Sequence, residues 1–245
     1  MNLAASEWID EYGLTWLATA PKIKLLLELD KNKTFTLNWD EQMNLFSKLP
    51  LHLKRMALFA VNTGCRDREI CSLEWDWEVK ILELNTSVFI IPAEKVKNRQ
   101  DRLVVLNNVA NRVIQEVRGI HPEFVFSFKG RPILRMLNTG WKKARLQAGL
   151  PHVRVHDLKH TFGRRLRANG VSFEDRQDLL GHKNGRITTH YSNAELSNLI
   201  QAANKVCDTD QGPRLTLLRM KESKVDRAKV AQGNFKAESV NLKVI

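Results

Sequence analysis

NWDEQMNLFSKLPLHLKRMALFAVNTG, residues 38–64, is the stretch from which the fold can be read. Asn38 followed by Glu41 is an N-cap with its reciprocal partner, because each side chain can reach the other's backbone N–H. This predicts a helix through about Leu49. A second helix, roughly 51–62, carries Leu53, Ala57 and Ala60 at helical spacing and stops at Gly64. Two helices in direct succession therefore open the regular part of the chain. Upstream, residues 1–33 are rich in Trp and Leu and end in the polar run Asp30-Lys31-Asn32-Lys33. They are too few for a domain and are expected to be the last helix and linker of a preceding unit.

Downstream, a short helix should carry Ile70 and Leu73. Val79–Leu84 and Val88–Pro92, separated by Asn85-Thr86-Ser87, read as a hairpin, with Leu103–Leu106 as a third strand. Helices are expected at about 108–118, ending at Gly119, and at 139–148, ending at Gly149. Residues 157–168 set Leu158, Phe162 and Leu166 on one helical face. Ser172 with Asp175 opens a helix that stops at Gly181. Ser192 with Glu195 is a further capping box, opening a helix through about Val206. The fold class is mainly α with one small antiparallel β-sheet (α+β). The expected organisation is an N-terminal piece at 1–33, a main domain at 34–206 and a basic tail at 207–245. Within that tail, residues 214–245 carry eight Lys/Arg against three Asp/Glu.

The balance of charge narrows the partners. With 39 Lys+Arg against 27 Asp+Glu the net charge is +12, which points to a polyanion. No apolar run approaches the roughly 20 residues that span a bilayer, and the N-terminus has no basic-then-apolar signal layout. A cytoplasmic protein with a nucleic-acid partner, and no membrane, is expected. Cys65, Cys71 and Cys207 are odd in number and lack C-x-x-C spacing, so they read as small buried hydrophobes in a reducing compartment.

The positive charge concentrates in residues 142–167, which hold eight Lys/Arg and the single acid Asp157. Within it, Lys142, Lys143, Arg154 and Arg164 are candidate DNA contacts. A charge run alone usually marks a solvated face, but this one includes His156, Lys159 and His160 on one helical turn. Cutting a phosphodiester without a metal needs a nucleophile, cations on the non-bridging oxygens and an acid for the leaving oxygen. The chain has two tyrosines. Tyr12 lies in the N-terminal piece, away from the basic segments. Tyr191 follows Thr188-Thr189-His190, directly before a helix cap. A phenol with a pKa of about 10 becomes a nucleophile at neutral pH only in a cationic pocket or beside a base, and this region can supply both. The alternative for Tyr191 is the anchoring of a helix start.

Three segments carry a family resemblance: Thr63-Gly64-Cys65-Arg66-Asp67-Arg68-Glu69-Ile70, His156-Asp157-Leu158-Lys159-His160-Thr161-Phe162, and Leu180-Gly181-His182 with Tyr191 following. In order and spacing they resemble the signature boxes of tyrosine recombinases of the phage-integrase type, over about residues 34–206. The resemblance implies the catalytic domain of that family. Arg66 would donate a forked pair of hydrogen bonds to the scissile phosphate, and Glu69 would brace its loop. Lys97, placed before Arg102-Leu103-Val104-Val105-Leu106, would protonate the departing 5′ oxygen, with Lys95 as the competing residue. His156 would act as general base or acid at the Tyr hydroxyl, Lys159 would hold charge against the phosphate, and His182 would bond a phosphate oxygen. Tyr191 would form a 3′-phosphotyrosine, so neither metal nor nucleotide cofactor is implied. The implied partners are double-stranded DNA and further copies of the chain in a synaptic tetramer.

Two departures stand out. The family generally has Arg where this chain has Lys159, and Lys keeps the charge but loses the planar fork. Residues 1–33 are also too short for the usual N-terminal core-binding domain and are expected to be its remnant with the linker. A truncated or degenerate recombinase that binds DNA without efficient cleavage is therefore the alternative. A more distant one reads His156 and His160 as i, i+4 ligands of a zinc hydrolase, with His182 or His190 as third ligand. Lys159, Arg164 and Arg165 close by would repel a dication. His160 is open between a chemical and a structural role, while His52, His121 and His152 read as structural or surface residues.

Overall fold

The structure, a computed structural model, describes residues 2–21, 34–182 and 192–207. Tyr191, His190 and the tail beyond Cys207 lie outside the described residues. The chain divides into two compact units, Met1–Lys33 and Thr34–Ile245.

In the first unit, α1 (Asn2–Ser6) is followed by a tight antiparallel bridge between Ile9 and Thr15. The Asp10 carboxylate closes that turn by accepting the N–H groups of Tyr12 and Leu14, each at 2.9 Å. Trp8 and Trp16 meet edge to face across it, with ring centroids 5.8 Å apart.

The second unit opens with α2 (Trp39–Lys48) and α3 (Leu51–Thr63). At the start of α2, Asn38 Oδ1 accepts the Glu41 N–H at 2.7 Å and Glu41 Oε2 accepts the Asn38 N–H at 2.9 Å. Helix α3 ends where Gly64 turns left-handed at φ 64°. A short helix, α4 (Asp67–Cys71), follows and carries Ile70, while Leu73 lies just beyond it.

Strands β1 (Glu78–Ile81), β2 (Thr86–Ile91) and β3 (Arg102–Val105) form one antiparallel sheet in the order β1-β2-β3. The expected strand Val79–Leu84 is shorter, because Leu82–Leu84 winds into a 3₁₀ turn and Asn85 takes a left-handed conformation at φ 46°. Asn tolerates that conformation, so the turn closes earlier and β2 starts at Thr86. The third strand begins one residue before the expected position, with Arg102 paired to Ile91. A two-residue hairpin, β4 (Ser127–Phe128) with β5 (Arg131–Pro132), was not expected. Lys129 and Gly130 both have positive φ there, the geometry that two-residue hairpins need.

The remaining helices are α5 (Asn108–Val117), α6 (Thr139–Gln147), α7 (His156–Ala168), α8 (Phe173–Leu180) and α9 (Asn193–Asn204). Two apolar clusters meet on α7. Leu158 packs with α2, α3, α5, α6 and the sheet, while Phe162 and Leu166 pack with Leu179, Leu180, Leu199 and Val206. Each large side chain so buried contributes roughly 1.5–3 kcal/mol. The second cluster ties α8 and α9 to α7. Polar contacts reinforce α9: buried Asn107 donates to Asn62 Oδ1 at 2.9 Å and to the Ala203 carbonyl at 3.4 Å. Cys65 and Cys71 are buried, and Cys207, expected to be buried as well, is half-buried beyond α9. Burial pushes the Cys65 and Cys71 thiols up, so neither is poised as a nucleophile.

Candidate active site

The site is built around Glu69. Its carboxylate, 2% exposed, accepts the Arg66 N–H at 2.8 Å and the Arg66 guanidinium at 2.7 Å. From the other side, Arg102 on β3 reaches it with Nη1 to Oε2 at 2.5 Å. Arg102 is itself 3% exposed, and its Nη2 donates to the Gly64 carbonyl at 3.1 Å and the Thr63 carbonyl at 3.5 Å. Burial pushes the Glu69 carboxyl up, but Arg102 and Arg66 outweigh it and hold the group below the usual carboxylate range. Glu69 is thus an anion that spaces two guanidiniums, one buried and one partly open.

Two glycines let the three segments close. A Cβ at position 64 would stand 2.9 Å from both Leu180 and Phe162, and one at 181 would stand 2.9 Å from Arg102 Nε. Both residues also have positive φ, so each position suits glycine for its conformation and for the space. The turn after α8 is closed by the His182 N–H donating to the Gln177 carbonyl at 3.0 Å. The Arg66 loop, the start of β3 and the Gly181–His182 turn are thereby drawn to one place.

Lys159, in the second turn of α7, is buried there at 4% exposure. Its ammonium donates to the Leu180 carbonyl, one of the terminal acceptors of α8 that no helical N–H can satisfy. Burial, then the charges of Arg102 and Arg66, lower its pKa to about 7. His156 is lowered by partial burial and then by His160, Lys159 and Arg66. His182 is lowered by burial and then by Lys159, Arg66 and Arg102. Both imidazoles are thus biased toward the neutral form, which can accept a proton. His160 stands edge to face with His156, centroids 4.7 Å apart, and burial lowers its pKa too.

Of the residues singled out in the sequence, Arg66, His156, Lys159 and His182 come together. Lys97 does not join them: it is exposed on the β2–β3 turn, while Lys95 faces Glu74 at 4.0 Å. Lys142 and Lys143 are exposed on α6, and Arg164 is exposed on α7. Arg154 differs, since its guanidinium grips the buried Asp157 at 2.9 Å. Asp157 also accepts the Phe35 N–H at 3.3 Å, and Thr161 Oγ1 accepts the Leu37 N–H at 3.0 Å, so α7 anchors the segment entering α2. No group of three His, Cys, Asp or Glu side chains suited to a metal occurs among the described residues. His52 and His152 pack against Phe128 and Phe35, and His121 Nδ1 accepts two backbone N–H groups. Sequence reading missed Arg102. It stands one residue before the expected strand, and its burial depends on Glu69, 33 positions away.

Comparison with known proteins identifies the family and the fold. The sequence model of the phage integrase family matches residues 30–197. The integrase of Salmonella phage P22 is 28% identical over 220 residues, which cover 84% of this chain and 54% of that protein. The tyrosine recombinase XerD of Lacticaseibacillus casei is 30% identical over 168 residues, covering 60% of this chain and 54% of that one. The chain spans about half the length of these curated relatives. Among solved structures, XerH site-specific recombinase bound to a palindromic difH substrate, a post-cleavage complex, superposes with a TM-score of 0.54 at 20% identity. That match covers 80% of this chain and 59% of the other. The pre-cleavage XerH complex gives 0.51 at the same identity. The chain belongs to the phage integrase family, with the fold of a tyrosine recombinase catalytic domain.

Proposed function

We propose that this chain is a site-specific recombinase that cuts and rejoins double-stranded DNA through a 3′-phosphotyrosine at Tyr191. The observation that carries this reading is the gathering of Arg66, Lys159, His156 and His182 about the Glu69–Arg102 pair. Several convergent cations with imidazoles biased toward the neutral form beside them suit metal-free phosphoryl transfer, where positioning and electrostatics supply most of the catalysis. Arg66 and Lys159 hold the non-bridging oxygens, and His182 bonds one of them. The Tyr191 oxygen attacks phosphorus and passes its proton to His156. The bond from phosphorus to the 5′ oxygen breaks, and Lys97, open to solvent on its turn, protonates the leaving oxygen. Rejoining reverses these steps, since the phosphotyrosine keeps the energy of the diester. Lys142, Lys143 and Arg164 contact the DNA backbone, and Arg154 does so while braced by Asp157.

The partners in this reading are DNA and further copies of the chain in a synaptic tetramer, in the cytoplasm. No helix among the described residues is long and apolar enough to cross a membrane. Residues 34–206 form the catalytic domain, with 1–33 and 207–245 as appendages. A second reading, a domain that binds DNA but cleaves it poorly, is favoured by one observation: Lys159 replaces the family's usual Arg and has its donor engaged by Leu180.

Incubation with a nicked suicide duplex carrying the cognate junction decides between them. The expected result is a covalent protein–DNA adduct on a denaturing gel, formed in EDTA and absent with Tyr191→Phe. An adduct from the Phe variant would refute the nucleophile, and tight binding without any adduct would favour the second reading.

A further inference from the structure

Arg102 lies outside the three signature segments, yet it is the residue that joins two of them. Its guanidinium binds Glu69 Oε2 at 2.5 Å and the carbonyls of Gly64 and Thr63 at 3.1 and 3.5 Å. All of these belong to the segment that carries Arg66. Its Nε has no hydrogen-bond partner among the described residues and is buried. That edge faces Gly181, whose missing Cβ would fall 2.9 Å from Nε and 3.0 Å from Cδ. Gly181 is the residue before His182, and Leu180 before it accepts the Lys159 ammonium. One planar cation is therefore wedged between the loop of Arg66 and the turn that carries His182 and receives Lys159.

With Nη1 on Glu69 and Nη2 on the Gly64 and Thr63 carbonyls, the Arg102 fork is committed inside the protein. Its fork fits the task it has, since five fixed N–H donors can span a carboxylate and carbonyl oxygens together, which the single ammonium of Lys cannot. We infer that Arg102 is a positioning residue for strand cleavage: it sets the separation of the Arg66 loop and the Gly181–His182 turn and never touches DNA. The inference rests on the recombinase reading above. Placement errors of about 1 Å in such a site can cost about a hundredfold in rate, so the spacer is expected to act on the chemical step rather than on DNA affinity.

The test compares the full chain with Arg102→Gln and Arg102→Lys by three measurements. These are single-turnover cleavage of suicide DNA, non-covalent DNA binding with Tyr191→Phe added, and NMR titration of the His182 ring without DNA. Arg102→Gln is expected to cleave about a hundredfold more slowly with binding within about threefold. Its His182 midpoint should rise, because the Arg102 charge is among those that lower it. The His52 midpoint, which burial alone lowers, should stay. Arg102→Lys keeps the charge but not the fork, so cleavage should drop about tenfold with the His182 midpoint near that of the unaltered chain. Arg102→Gln cleaving at the unaltered rate, or losing binding and rate together with an unmoved His182 midpoint, would overturn the inference. If Arg102→Gln does not fold, Arg102→Lys decides through its rate, and full activity overturns the inference. If the unaltered chain forms no adduct, the functional reading fails, and an unmoved His182 midpoint would separately overturn the spacer.

Discussion

Lys159 and Lys142 carry the same side chain into opposite settings. Lys159 is 4% exposed, bonded to the Leu180 carbonyl, and shares its surroundings with Arg66, Arg102 and Glu69. Lys142 stands in solvent on α6 beside Lys143. The buried group sits in a medium where each charge acts strongly on its neighbours, so its position is set before DNA arrives and its protonation responds to Arg66, Arg102 and Glu69. The exposed group is screened within about 10 Å at 0.1 M salt and acts through summed attraction. Buried cations in this protein should therefore govern rate and stability, and exposed ones affinity and its salt dependence.

The harshest way to break that division is Glu69→Ala. It leaves Arg102 as a buried charge without its counter-ion, and removing one partner of a buried pair costs about 3–5 kcal/mol. Chemical denaturation should register a loss of that size, against a change within about 0.5 kcal/mol for Lys142→Ala. Equal destabilisation by the two would mean that Glu69 and Arg102 are not paired in solution.

Next in size is Lys159→Ala. Removing a cation from a phosphate site should cost about 3 kcal/mol of transition-state stabilisation, or about a hundredfold in single-turnover cleavage. Lys159→Arg should keep the rate or exceed it, since the planar fork offers two donors where Lys offers one point of charge. Equal rates for Lys and Ala would place this side chain outside the chemistry.

A pH series sharpens the same contrast, because activity and stability should move in opposite directions. Lys159 titrates near 7 in the folded chain against an ordinary 10.5. Between those values the unfolded chain holds the extra proton, so this residue's contribution to stability rises with pH across that window. Cleavage at subsaturating DNA needs the charged form and should decline as pH passes about 7. Lys159→Arg should remove that decline, and a decline persisting in the Arg variant would assign it to another group.

Those expectations draw unequally on the sequence. Helix ends were legible because their causes are local: Asn38, Ser172 and Ser192 cap with groups three residues away, and Gly64 and Gly181 stop helices by their own conformation. The grouping of Arg66, His156, Lys159 and His182 was legible from spacing and resemblance, not from any single segment. What stayed hidden depends on distant partners. Arg102 follows the exposed Lys95, Lys97 and Arg99 in sequence, and its burial follows from Glu69, 33 positions earlier. Arg165 looked like one more solvated cation, yet it stacks on Trp39 at 3.4 Å and donates to Gln42. The β4–β5 hairpin escaped because two-residue strands have no periodicity to read. Lys97 is exposed on the β2–β3 turn, and its role as the acid rests on the resemblance alone.

The smallest expected effect belongs to the exposed population. Lys142→Ala and Lys143→Ala each remove one phosphate contact in the proposed complex, and each should reduce the slope of log K against log salt by about 0.9. The loss should be nearly the same on cognate and scrambled duplexes, because a contact to the backbone carries no sequence information. Cleavage at saturating DNA should stay within about twofold, since neither side chain adds to the charge at the scissile phosphate. Arg154→Ala makes the instructive control, because its guanidinium is paired with Asp157 at 2.9 Å. It should change the slope less than either lysine while lowering stability through the stranded Asp157. If Arg154→Ala instead changed the slope as much as Lys142→Ala with no loss of stability, Arg154 would belong with the exposed cations despite its ion pair.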